Sequence, residues 1–238
     1  MFYKIGDVIV RFNGNSSFAK TECLPYMVEE EAFEDFIELS YTNEDLCRYK
    51  DKLGCGAIFE YNYTMNCFAK EIITYDAFCY HSSALSVDRE GILFSADSGI
   101  GKSTHARLWM QYMNNNHNIV VLNDDKPLVR IIGKKPIVYG TPWAGKHAIH
   151  SNGSAPIKAL VFLEQALVNS IERVPVNQVF DLVFAQVLGG KDREHLYHLM
   201  ELLDMFIRQV PIYKLRCNIS EEAVRLVYDT IWRKEDED

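Results

Sequence analysis

Three observations predict a mixed α/β fold, with a hairpin-rich sheet and flanking helices. Short β-type runs recur in pairs around tight turns. An apolar strand at 92–95 runs through a glycine-rich loop into a helical segment. Helical spacing alternates with a single strand in the C-terminal third. The 238 residues are 48% hydrophobic, enough for one compact unit with a sizeable core. We divide it into a β-rich N-terminal lobe, 1–75, which can belong to the same domain, and a larger α/β unit, 76–238.

Taken in order, 4–12 read as antiparallel strands with Asn13 and Gly14 as a hairpin turn. Residues 81–87 and 92–95 flank the tight turn 88–91 and so pair. The continuous apolar run 119–122 is a buried strand that ends in Asn123, Asp124 and Asp125. A second hairpin joins 129–132 to 136–139 through 133–135, and 156–163 adds a strand. Helical spacing covers 175–188, 193–209 and 220–232, with a strand at 211–216 and Ser220 as the cap of the last helix.

Composition excludes several classes. A formal charge of −8 is the wrong sign for a nucleic-acid groove, and the acidic stretches 29–31 and 235–238 read as solvated. The N-terminus lacks the basic and apolar regions of a signal peptide, and no apolar run approaches a membrane span, so a cytoplasmic protein without a membrane partner is expected. Six cysteines include no C-x-x-C pair. Cys55, Cys67 and Cys79 recur every twelve residues without histidines at ligand spacing, so reduced core thiols are expected instead of a zinc site. A homo-oligomer is left open.

The chemistry is concentrated after the strand at 92–95. Asp97, Ser98, Gly99, Ile100, Gly101, Lys102, Ser103 and Thr104 form a loop that enters a helix, the arrangement in which backbone N–H groups cradle a phosphate at a helix N-terminus. Lys102 would reach the β- and γ-phosphates, and the Ser103 hydroxyl would complete the shell of a Mg²⁺ bridging them, so a nucleoside triphosphate is the expected ligand. Ala96 stands where the pattern G-x-x-x-x-G-K-[ST] has its first glycine. The plainer alternative is a glycine turn closing a buried hairpin. Asp124 and Asp125, at the end of a neighbouring strand, could divide two tasks, holding the metal and accepting a proton from a hydroxyl. The same residues before Lys126 and Pro127 also suit a simple turn.

In order and spacing, His81 to Ala84, Ser95 to Thr104 and Val121 to Asp125 are similar to the catalytic core of HPr kinase/phosphorylase, the bacterial serine kinase acting on a sugar-transport phosphocarrier. The segment also resembles the nucleotide half of ATP-dependent phosphoenolpyruvate carboxykinase, which shares that fold. The motifs cover 81–125, the chain from about 75 is compatible with the fold, and 1–75 is not accounted for. The resemblance implies that 76–238 is a nucleotide-binding catalytic domain using ATP and Mg²⁺, with Lys102 on the phosphates, Ser103 and Asp125 on the metal side, Asp124 taking the acceptor proton and His81 near the transferred phosphate. Outside the resemblance, a lone histidine at a strand start is ordinarily structural.

The downstream loop departs from that family. In place of its typical segment stands 139–146, so HPr is not the expected acceptor. This stretch resembles one in short bacterial kinase-like relatives, including serine kinases of modified-peptide gene clusters. Trp143 and Lys146 could offer an aromatic face and an ammonium to a substrate, or Trp143 could anchor a hairpin to the core. The leading expectation is an ATP-dependent kinase transferring a γ-phosphoryl group to an aliphatic hydroxyl of a peptide or protein serine or of a small metabolite. The alternative is a nucleotide-responsive binding module with negligible turnover. Carboxykinase chemistry is the weakest, because the chain is short for that enzyme.

Overall fold

The computed structural model describes residues 1–29, 32–97 and 99–233. Ser98 and most of the two acidic stretches, Glu30, Glu31 and 235–238, therefore lie outside the described residues. The chain begins with β1 (Phe2–Ile5) and β2 (Val8–Phe12), then α1 (Ser17–Thr21), β3 (Met27–Val28), β4 (Ile37–Leu39), α2 (Asn43–Leu53) and α3 (Gly56–Glu71). There follow β5 (Ala77–Tyr80), β6 (Ser83–Val87), β7 (Glu90–Ser95), α4 (Lys102–Met113), β8 (Ile119–Asn123), β9 (Leu128–Ile132), β10 (Lys135–Tyr139), β11 (Ser154–Gln165) and β12 (Ser170–Arg173). The chain closes with α5 (Val179–Gln186), β13 (Val187–Leu188), α6 (Leu196–Gln209), β14 (Ile212–Cys217) and α7 (Glu221–Tyr228).

The architecture is mixed α/β. β1 to β4 form a small sheet in the order β3-β1-β2-β4, and the other ten strands form one large mixed sheet. The long β11 is its pivot: it runs parallel to β7 and β14 but antiparallel to β10. Alternation along β7 explains the layers. Leu93 points into a core shared with α6, whereas Ile92 and Phe94 pack against α4 and α7. The sheet is thus covered by helices on both faces around β7, and the turn after β7 emerges between layers.

Three two-residue hairpins among the described residues obey one rule. Gly6 and Asp7, Asp88 and Arg89, and Gly133 and Lys134 each have positive φ at both positions, the mirror-image turn whose twist matches antiparallel strands. The first corrects the sequence reading: the β1–β2 turn falls at Gly6 and Asp7, and Asn13 and Gly14 follow β2 on the way to α1. The N-terminal lobe is also less β-rich than expected, because α2 and α3 contribute 11 and 16 residues. Thr42 starts α2 with a capping box in which its hydroxyl and Asp45 exchange hydrogen bonds with each other's backbone N–H. This lobe shares one core with the rest of the chain, since Phe12, Phe18 and Phe68 cluster with Leu128, Tyr139 and Trp143.

Smaller differences concern exposure and length. β8 ends the order of strands beside β6, meets the 149–151 segment only at its C-terminal end and leaves Val120 exposed, so it is not wholly the buried strand its apolar run suggested. The segment 175–188 is only partly helical: α5 is followed at once by β13, which pairs with β5. No cysteine is in a disulfide, but Cys47 and Cys55 are exposed and are not core thiols. Ser220 caps α7 as expected, accepting from the Ala223 N–H. Among the described residues no helix is long and apolar enough to cross a membrane.

Candidate active site

The loop between β7 and α4 ends at the N-terminus of a twelve-residue helix. Gly99 and Gly101 have φ of 86° and 119°, and Gly101 is the N-cap of α4. Ala96 has no positive φ, so the missing glycine of the motif imposes no backbone strain. Lys102 is 8% exposed, and its Nζ donates to the Ala96 carbonyl at 3.1 Å, bridging the two ends of the loop. The first turn of α4 contains no acidic side chain, so the positive end of the helix dipole is not already compensated from within the helix. Burial, partly opposed by Asp125, Asp124 and Asp97, holds the Lys102 ammonium below its usual pKa range.

Opposite this loop, the end of β8 turns sharply into an acidic pair. Asn123, fully buried, organises the turn: its Oδ1 accepts from the backbone N–H groups of Asp125 (2.8 Å) and Lys126 (2.6 Å), while its Nδ2 donates to the Thr141 carbonyl at 2.9 Å. Asp124 is 5% exposed and accepts from Ser83 Oγ at 2.7 Å. Asp125 is less buried, pairs with Lys126 and lies 3.5 Å from His81 Nε2. His81 Nδ1 is 2.9 Å from Gln186 Oε1. Burial first, and the Lys102 ammonium second, lower the His81 pKa, with Gln186 and Asp125 partly opposing them.

Between the two walls is a cavity of about 1030 Å³. Gly99, Gly101, Lys102, Ser103 and Thr104 line it from the loop, and His81, Asp124 and Asp125 from the sheet side. Two loop positions named from sequence are placed elsewhere: Asp97 is an exposed turn residue whose carbonyl accepts from Ile100, and Ile100 faces a different cavity. Ser98 is outside the described residues.

The acceptor-side reading of Trp143 is corrected. Its ring is 1% exposed, stacks on Phe68 with centroids 4.8 Å apart, and donates from Nε1 to Thr64 Oγ1 at 3.2 Å. Burying so large a ring against α3 removes it from contact with any substrate, and it anchors the loop instead. Lys146, by contrast, is exposed at the cavity rim, in the short turn Gly145–His147. Gly145 is required by proximity: a Cβ there would come within 2.9 Å of the Asp125 carboxylate.

Several cavity residues have no counterpart in the sequence reading. Lys126 donates to Tyr61 Oη at 3.0 Å, and Tyr61 Oη also accepts from the Gly145 N–H at 2.9 Å. Burial works against the Lys126 charge, but Asp125 and Tyr61 together keep its pKa above the ordinary value. Glu22, next to α1, lines the cavity and accepts from His150 Nε2 at 3.0 Å. The position of Lys126 beside two aspartates was a usable signal. Tyr61 and Glu22 had none, because only the folding of the N-terminal lobe over the sheet brings them to the site.

No family model matches the chain, and no curated protein matches it in sequence. Among solved structures, the chain is similar to the Hpr(Ser) kinase/phosphatase from Coxiella burnetii, with a TM-score of 0.38 and 13% identity, over 67% of this chain and 99% of that one.

Proposed function

We propose that this protein is an ATP-dependent phosphotransferase that moves the γ-phosphoryl group to an aliphatic hydroxyl, on a peptide or protein serine or on a small metabolite. One observation carries the reading: a buried lysine at a helix N-terminus and a pair of carboxylates face each other across one cavity large enough for a triphosphate and an acceptor. Oxygen donors suit a hard divalent cation, and Ser103 with Asp125 would hold Mg²⁺, which when bound neutralises charge on the β- and γ-phosphates.

The chain's own groups divide the remaining work. Lys102 and the N-terminus of α4 bind the phosphates and stabilise charge that develops on the leaving oxygen. Asp124, held by Ser83, orients the acceptor hydroxyl and takes its proton as the oxygen attacks phosphorus and the bond to the β-phosphate oxygen breaks. Asp125, paired here with Lys126, would have to turn from it to hold the cation, which leaves Lys126 with His81 to position the transferred group.

The test is transfer of radiolabelled phosphate from ATP to a panel of serine peptides and small hydroxyl metabolites, run beside Asp124→Asn. A labelled product that is lost in the variant is the expected result. Tight Mg·ATP binding with no product from any acceptor, and no change in nucleotide turnover in the variant, would favour a nucleotide-responsive binding module instead.

A further inference from the structure

Charge is distributed unevenly around the main cavity. The lysine and arginine side chains that line it, Lys102, Arg107, Lys126 and Lys146, all come from the larger α/β unit. The N-terminal lobe contributes uncharged side chains to the same cavity, such as Ser17, Thr21, Ile58 and Asn62, and among the described residues one charge, that of Glu22. The cavity therefore has a part rich in cations, around the phosphate loop and the acidic pair, and a part whose only charge is a carboxylate.

That carboxylate is held from behind. The Glu22 side chain is 24% exposed; its Oε2 accepts from His150 Nε2 at 3.0 Å, and its Oε1 has no hydrogen-bond partner among the described residues. The His150 side chain is only 6% exposed, stacks on the buried Tyr26 with ring centroids 5.6 Å apart, and has Nδ1 3.1 Å from Tyr26 Oη. With both ring nitrogens engaged, the imidazole is fixed, so Glu22 loses little freedom when a ligand binds. The backbone of His150 bridges to Asn123, and the carbonyl of its neighbour Ile149 accepts from the Asp124 N–H at 3.1 Å. One segment, 149–151, thus supports both Asp124 and the histidine that holds Glu22.

Resting on the kinase reading above, we propose that the N-terminal lobe forms the acceptor subsite and that Glu22 selects a hydroxyl acceptor carrying a positive charge, an ammonium or guanidinium group. The phosphates of ATP match the cation-rich part of the cavity. A cationic acceptor is repelled there, but Glu22 Oε1 offers it a charge-assisted hydrogen bond while Asp124 takes the hydroxyl. An acidic acceptor would set like charges against each other at Glu22. A small amino alcohol and a basic residue beside a peptide serine both present this chemistry.

The experiment measures transfer of radiolabelled phosphate from ATP by the full chain to matched acceptors: amino alcohols against diols of equal length, and serine peptides with lysine, glutamine or glutamate beside the serine. In one of the two series the cationic member is expected to have a kcat/KM at least ~10-fold above its neutral counterpart, and the series that shows it identifies the source of the charge. Glu22→Gln, still able to accept from His150, should erase that preference by lowering kcat/KM for the cationic acceptor, with the KM for ATP and the rate on neutral acceptors unchanged. Thr21→Lys, at an exposed position lining the same cavity, sets a competing charge beside Glu22 without removing its bond to His150, and should erase the preference too. Should Glu22→Gln melt early, Thr21→Lys decides. Equal use of cationic and neutral acceptors by the parent, or a preference that survives in the deciding variant, overturns the acceptor subsite while leaving the kinase reading intact. Transfer to no acceptor of either series overturns the kinase reading and this one with it.

Discussion

The loops 96–104 and 139–148 look alike in sequence, each with glycines around a lysine, and the fold treats them differently. In the first, Lys102 is buried at the start of a twelve-residue helix and bridges to Ala96, and its glycines are not pressed by neighbours, a Cβ at Gly99 meeting nothing within 4 Å. In the second, the glycines serve close packing: a Cβ at Gly140 would collide with the Ser151 carbonyl at 1.8 Å, and Gly145 lies against Asp125. Trp143 pins that loop to α3, and Lys146 is left in solvent. A glycine–lysine pattern signals phosphate chemistry only where strand, loop and helix aim backbone donors at one point.

Substitutions at five positions can break or sharpen this contrast. The largest effect is expected from Lys102→Ala, which should abolish transfer and weaken Mg·ATP, because a desolvated charge on the phosphates contributes to both. Unchanged Mg·ATP affinity by calorimetry would remove the distinction between the loops altogether.

Next is Asp124→Asn, nearly isosteric and still able to accept from Ser83, which should lower kcat by about 10²- to 10⁴-fold while leaving nucleotide affinity in place. Asp125→Asn should instead raise the Mg²⁺ concentration needed for half-maximal activity. Steady-state rates over a Mg²⁺ titration separate the two, and reversed phenotypes exchange their roles.

Trp143→Ala should destabilise the fold by about 3–5 kcal/mol. The corresponding fall in melting temperature is roughly 6–20 °C in a domain of this size. Trp143→Phe should recover most of it, since the stack on Phe68 survives and only the bond to Thr64 is lost. A Trp143→Ala protein with parental melting but a raised KM for the acceptor would return the ring to the substrate.

The smallest effect is expected from Lys146→Ala. Its exposed side chain makes stability change by less than about 0.5 kcal/mol, and kcat should stay within a few-fold of the parent. A drop of two orders of magnitude in kcat with both dissociation constants unchanged would show that Lys146 meets the γ-phosphate only in the transition state, making the second loop as chemical as the first.

By itself the sequence determined the local grammar of the protein: the strand–loop–helix around Lys102, the hairpins at 88–91 and 133–135, the strand ending in Asp124 and Asp125, and the cap of α7 at Ser220. These depend on φ preferences, alternation and capping, which act over a few residues and are written where they act. The reading failed at Gly6 and Asp7 because the competing turn at Asn13 and Gly14 carries the same local preference, and only pairing of Tyr3 with Val10 decides between them. Tertiary structure alone decided which side chains share the cavity. Tyr61 reaches Lys126 across 65 positions and His150 reaches Glu22 across 128, because the N-terminal lobe shares its core with the sheet. It likewise decided that Trp143 is an anchor, since burial depends on what packs opposite a residue, and α3, the element that covers this one, begins nearly ninety positions earlier in the chain.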